Sequence, residues 1–153
     1  MASYPNKKSP DGFFVGSANQ VLDQILLRID DGQHEGAENI LRQLIKNRPG
    51  HAEAWNLRGV NAVRGGGTKL AIKCFTEASN INRDNAVYAA NLGNALGLDK
   101  SWEQAAGAWS RAILLAPKNP EHQLGLAICM IYQGKTKEAL EQGDHALQMH
   151  PPP

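Results

Sequence analysis

Small and large apolar residues return along this chain at a fixed interval. Ala37, Ala71, Ala105 and Ala139 stand 34 residues apart, and units of that length begin at Ala18, Ala52, Ala86 and Pro120 and run to Pro153 without an insertion. Within a unit, the eighth position holds Ile25, Gly59, Gly93 and Ala127, and the twenty-seventh holds Leu44, Ala78, Ala112 and Ala146. The twenty-fourth is large in three units, with Leu41, Phe75 and Trp109 before Gly143. Pro49, Pro117 and Pro151 share the thirty-second position, where the second unit has Arg83. Each unit therefore predicts two helices. Small residues at the eighth and twentieth positions let two backbones approach, the large residue at the twenty-fourth fills the adjoining space, and proline stops the second helix. One such pair cannot bury its apolar face alone, so neighbouring pairs must stack on a shared core.

The polar interruptions fall in register too. Gly32, Gly66, Lys100 and Gly134 all occupy the fifteenth position, which is the turn between the two helices. This settles the stretch Gly134-Lys135-Thr136, which looks like the end of a phosphate-binding loop. Such a loop needs a glycine five residues earlier, where this chain has Cys129, and it must follow a strand so that its backbone N–H groups wrap the phosphates. The three glycines Gly65, Gly66 and Gly67 sit in the equivalent turn of the second unit, where glycine takes the left-handed conformation that ends a helix.

The period, together with Trp55, Gly59, Ala71, Phe75 and Ala78 in the second unit and Leu92-Gly93, Ala105, Ala112 and Pro117 in the third, resembles the tetratricopeptide repeat family. The resemblance covers residues 18–153; the first and last units match less well, as terminal repeats do. It implies an all-α, right-handed superhelical solenoid of four helix-turn-helix repeats (18–51, 52–85, 86–119 and 120–153) after a flexible tail at 1–17. In proteins of that kind the first helix of each repeat lines a concave wall. Carried over position by position, that wall is expected to present Asn56, Leu57, Val60, Arg64, Asn91, Asn94, Leu98, Ile128 and Tyr132 to a protein or peptide. Its asparagines suit pairing with a ligand's backbone and its apolar residues suit side-chain pockets, although half of the apolar ones are expected to pack on the neighbouring helix instead. The family's carboxylate-gripping mode fits poorly: its slots hold Asn56, Val60, Asn91, Glu121 and Gly125, and Glu121 would repel a carboxylate.

Composition and charge remove other classes. With 16 Lys and Arg against 15 Asp and Glu, the net charge of +1 is spread out, and Lys7-Lys8 is the one adjacent basic pair. Nucleic-acid binders concentrate cations to neutralise phosphates, so no nucleic-acid partner is expected. No apolar run approaches the length of a membrane span or a signal-peptide core, which makes a cytoplasmic setting the expectation. Cys74 and Cys129 have no partner at zinc spacing and read as reduced, half-buried thiols. Glu141 and His145 share a helix face, with no third ligand spaced to make a metal site.

No signature of nucleophilic catalysis occurs, and no cofactor, metal or enzymatic activity is expected. Trp55 and Trp109 fall in packing columns and read as core, whereas Trp102 reads as a partly exposed edge. The expected function is a protein-interaction scaffold. Two alternatives stay open: the recruiting segment of a larger transferase, and a self-assembly module joined at the C-terminal end. That last helix is polar enough to cap itself, and Phe13-Phe14-Val15 is expected to fold over the opposite end.

Overall fold

A computed structural model describes residues 7–8, 14–15 and 18–149 of the chain. From residue 18 onward the described residues form eight helices: α1 (Ala18–Asp30), α2 (His34–Asn47), α3 (Ala52–Arg64), α4 (Thr68–Ile81), α5 (Ala86–Leu98), α6 (Trp102–Leu115), α7 (Pro120–Tyr132) and α8 (Thr136–Met149). First helices start 34 residues apart and so do second helices, giving an all-α solenoid of four helix-turn-helix pairs. Ahead of it, two-residue strands β1 (Lys7–Lys8) and β2 (Phe14–Val15) pair antiparallel, Lys7 opposite Val15. Of the triplet Phe13-Phe14-Val15 expected to cover this end, Phe14 and Val15 form β2 and Phe13 lies outside the described residues.

Each helix packs on the helix before it and the helix after it. In addition α1 touches α3 and α5 touches α7, whereas no two second helices pack to that extent. The array therefore curves with its first helices on the inner side. Every turn within a repeat closes in the same way. Gly32, Gly66 and Gly134 take φ of +74°, +80° and +77°, and Lys100 takes +61°. The next N–H then reaches back to a carbonyl five residues earlier: Gln33 to Arg28 at 2.8 Å, Gly67 to Ala62 at 2.7 Å, Ser101 to Leu96 at 2.9 Å and Lys135 to Met130 at 2.8 Å. Lys100 adopts the left-handed geometry without glycine's freedom, at a cost of about 1 kcal/mol.

The alanine column is buried throughout: Ala37, Ala71, Ala105 and Ala139 sit where paired helices come closest. The large residues of the twenty-fourth position then wedge against glycines. A methyl group on Gly59 would lie 2.5 Å from the Phe75 ring, and one on Gly93 would lie 2.9 Å from the Trp109 indole. Gly125, in the next repeat, meets the same indole at Cε2, Cδ2 and Cζ2 and has no room for a Cβ. Trp109 is thus buried between the first helices of two repeats, α5 and α7, and clusters with Leu96, Leu126 and Cys129.

Two expectations need correction. Cys74 and Cys129 are fully buried, not half-buried, because both face an adjoining helix instead of the outer surface. Burial pushes the Cys74 thiol from 9.0 up to about 11 and raises Cys129 as well. Trp55 is half-buried, not core: its indole N–H donates to the Pro49 carbonyl at 2.9 Å, and the Arg58 guanidinium lies 6.0 Å from the ring centre.

Among the described residues no helix is long and apolar enough to cross a membrane. Nor does any group of three or more His, Cys, Asp or Glu side chains come together at metal-binding distance there.

Candidate partner-binding wall

The inner wall is built by α1, α3, α5 and α7, and its character changes along the array. Repeats one and two add polar contacts to the aliphatic core between them. Arg64 pairs with Asp30 at 2.5 Å on the exposed inner edge, and Arg58 forks onto Glu38 of α2 at 2.7 Å and 3.0 Å. The Glu38 hydrogen bond raises the Arg58 pKa further above its ordinary value, so the guanidinium stays charged. Deeper in the same junction, Asn61 donates to the His34 carbonyl at 2.9 Å and accepts from the His34 ring at 2.9 Å.

Repeats two and three share a hydrogen-bonded row on the wall itself. Asn91 donates to Asn56 at 2.8 Å, Asn56 donates to Glu53 at 3.3 Å, and the Tyr88 hydroxyl donates to Glu53 at 2.6 Å. Burial first, and then the bond to Glu53, hold the Tyr88 phenol above its usual range. The carboxamides of Asn56 and Asn91 therefore spend part of their hydrogen-bonding capacity on each other, a demand that spacing in sequence does not disclose.

Of the nine wall residues expected from the sequence, the structure exposes Arg64, Asn94, Leu98, Ile128 and Tyr132 and leaves Val60 and Asn91 half-buried. Asn56 and Leu57 are buried. Leu57 packs with Ile25, Ile29 and Leu41 in the core between repeats one and two, so its side chain is not available to a ligand. Gly125, a slot in the carboxylate-gripping mode, is the socket of Trp109.

The far half of the wall is apolar and open. On α7, Leu124, Ile128, Ile131 and Tyr132 are all about half exposed or more, and their spacing places them along one helix face. Leu98 and Val87 of α5 extend the apolar surface toward repeat three. Tyr132 also stacks on Trp102 at the start of α6, with ring centres 4.1 Å apart and planes 5° apart. Gln133 fixes that corner by donating to the Trp102 carbonyl at 3.1 Å. The two rings come from the thirteenth and seventeenth positions of adjacent repeats, so only knowledge of how repeats stack would have paired them.

Two open depressions lie off this wall, one at the α6–α7 turn over residues 116–120 and one among Asn39, Arg42, Gln43 and Lys46 on the outer face of α2. Neither adjoins the apolar stripe.

Comparison with known proteins agrees with this architecture. A family model described as "Tetratricopeptide repeat" matches residues 22–86 and again 88–152. Small glutamine-rich tetratricopeptide repeat-containing protein 2 of Saccharomyces cerevisiae is 31% identical over 105 residues, covering 63% of this chain. The chain spans only 30% of that relative's length. Among solved structures, a crystal structure of MamA superimposes with a TM-score of 0.81 at 19% identity, over 87% of this chain and 78% of that one. MamA 41-end from Desulfovibrio magneticus RS-1 does so with a TM-score of 0.78 at 19% identity, over 86% of this chain and 74% of that one. At such identity the likeness speaks to the fold.

Proposed function

Because the chain belongs to the tetratricopeptide repeat family, matched by its family model over residues 22–86 and 88–152, we propose that it works as a protein-interaction scaffold whose inner wall holds a peptide or a short helix of a partner. The single observation that carries the reading is the exposed apolar line Leu124, Ile128, Ile131 and Tyr132 on α7, facing the same side as Leu98 of α5. Apolar side chains held in register on rigid helices suit an aliphatic or aromatic anchor from a partner, and monomeric surfaces rarely leave such a line uncovered. Asn94, exposed one turn before Leu98, supplies a carboxamide free to meet the partner's backbone. Arg64, engaged with Asp30, edges the polar end of the wall.

This reading redistributes the weight among the expected residues. Asn94, Leu98, Ile128 and Tyr132 make direct contacts; Asn56 and Asn91 hold the wall's shape. No catalytic step is assigned to the site. The test is affinity capture with the purified chain beside two variants. One carries Leu98→Asp with Ile128→Asp on the inner wall, and the other carries Arg42→Ala with Gln43→Ala on the outer face. The expected result is a partner kept by the outer variant and lost by the inner one. A partner retained by the inner-wall variant, or lost equally from both, would remove the wall as the site.

A further inference from the structure

The array sorts charge as well as polarity. First helices carry three cations, and each is already engaged: Arg28 with Gln33 at 3.2 Å, Arg58 with Glu38 at 2.7 Å and Arg64 with Asp30 at 2.5 Å. The other helical cations, Arg42, Lys46, Lys69, Lys73, Arg111 and Lys137, all belong to second helices. The inner wall therefore offers no free cation among the described residues.

Its acids are placed differently. Glu53 of α3 and Glu121 of α7 hold the second position of their repeats, along the edge where first helices begin. Among the described residues neither forms an ion pair. Glu53 is half-buried, and its oxygens are held by neutral donors, the Tyr88 hydroxyl at 2.6 Å and the Asn56 amide at 3.3 Å. Those bonds fix where the carboxylate points, leave its charge uncompensated and keep part of its accepting capacity open. Glu121 is exposed at the same position two repeats on, and Val87 of α5, 57% exposed, stands between them. This edge thus reads acid, apolar, acid across α3, α5 and α7. The opposite edge of the same helices presents Leu98 and Tyr132 beyond the occupied Arg64.

An acid in a first turn also favours its own helix, whichever way it faces. The starts of α3 and α7 are already capped by His51 and Asn119, and α5 begins without any acid. Helix initiation alone leaves the shared, wall-edge position of Glu53 and Glu121 unexplained.

We propose that the partner segment received by this wall is cationic and amphipathic. Its Lys or Arg side chains meet Glu53 and Glu121, an apolar residue between them covers Val87, and further apolar residues lie on Leu98 and Ile128. The proposal rests on the inner wall being the binding site. Arginine suits Glu53 best, because a guanidinium donates two parallel bonds to a carboxylate already oriented by its neighbours. An acidic segment would meet the same two carboxylates as repulsion, so the acids act chiefly as a filter on partners.

Selection from a displayed library of random linear peptides on the full chain tests this, followed by calorimetry with the strongest synthetic peptide at low and physiological salt. The selected sequences are expected to carry a base, an apolar residue and a second base in order, with few acids. Glu53→Gln with Glu121→Gln should weaken that peptide about tenfold at low salt and flatten its salt dependence. The glutamine at 53 keeps a carbonyl for Tyr88, and unchanged circular dichroism and melting confirm that the variant folds. Peptides that are acidic or uncharged yet lost from Leu98→Asp with Ile128→Asp, or a salt-independent affinity indifferent to the glutamine variant, would overturn the cationic partner and leave the wall as the site. Peptides retained by the Leu98→Asp, Ile128→Asp variant, or a library that yields no binder, would overturn both.

Discussion

The junction between repeats one and two and the junction between repeats three and four occupy equivalent places in the array but are closed by different chemistry. The first is laced by Arg58–Glu38, Arg64–Asp30 and the double hydrogen bond of Asn61 to His34, around an aliphatic core of Ile25, Ile29, Leu41 and Leu57. The second closes on one indole, Trp109, held between the glycines of α5 and α7. The repeat fixes where small and large residues must alternate; it leaves open whether the remaining area is sealed by apolar contact or by paired charge. Burying an aromatic ring yields more stability than an ion pair of limited burial, so the two junctions are expected to respond very differently to substitution.

The largest effect is expected at the indole. Trp109→Ala should cost about 3–5 kcal/mol in urea unfolding, by emptying a close-packed site. Filling the socket instead, with Gly125→Ala, should cost about 1–3 kcal/mol because the ring must shift. The next effect belongs to Cys74, which lies near enough to Arg58 and Glu38 to feel their charges. Its folded pKa of about 11 exceeds the ordinary 9.0, so between those values the native chain keeps a proton that the unfolded chain has lost. Stability should therefore be full below pH 9.0 and fall as pH rises toward 11, by about 2 kcal/mol from this thiol. Tyr88, also held above its usual range, adds to the slope in the same direction. Replacing Cys74 with Ala should flatten its share in urea midpoints taken across that range.

Glu38→Gln should cost about 1 kcal/mol, since it removes a charge from a partly shielded fork while leaving a carboxamide that accepts one bond. Asp30→Asn should change stability by less than about 0.5 kcal/mol, and that difference should vanish at high salt, because both partners are exposed. A Glu38→Gln cost matching Trp109→Ala would erase the contrast between the junctions; a salt-insensitive Asp30→Asn cost would show the first junction to be more shielded than its exposure indicates.

Much of the fold was legible in the one-dimensional pattern. The alanine column, the recurring turn position and the alternation of glycine with a large residue each impose a local steric condition that sequence states directly. Lys100 could be placed in its turn for that reason, although its side chain gives no hint of a left-handed backbone. The site was less legible. Position within a repeat says which neighbour a residue faces, but burial depends on whether that neighbour is large enough to cover it. Leu57 therefore disappears into the core while Ile128 stays open. Asn56 likewise looks like a free carboxamide in sequence and turns out to be held between Glu53 and Asn91. The burial of both thiols was missed because cysteine carries no pattern of its own in the repeat.

The stacked pair Trp102 and Tyr132 has an optical consequence. One ring belongs to the inner wall and the other is an indole, the side chain that dominates intrinsic fluorescence. A ligand settling on Ile128 and Tyr132 must alter the surroundings of an emitter 4.1 Å away from the tyrosine ring. Trp109 sits sealed in its two glycine sockets and serves as a constant internal reference. The chain thus carries a binding signal and its own baseline in its native residues, with no dye attached.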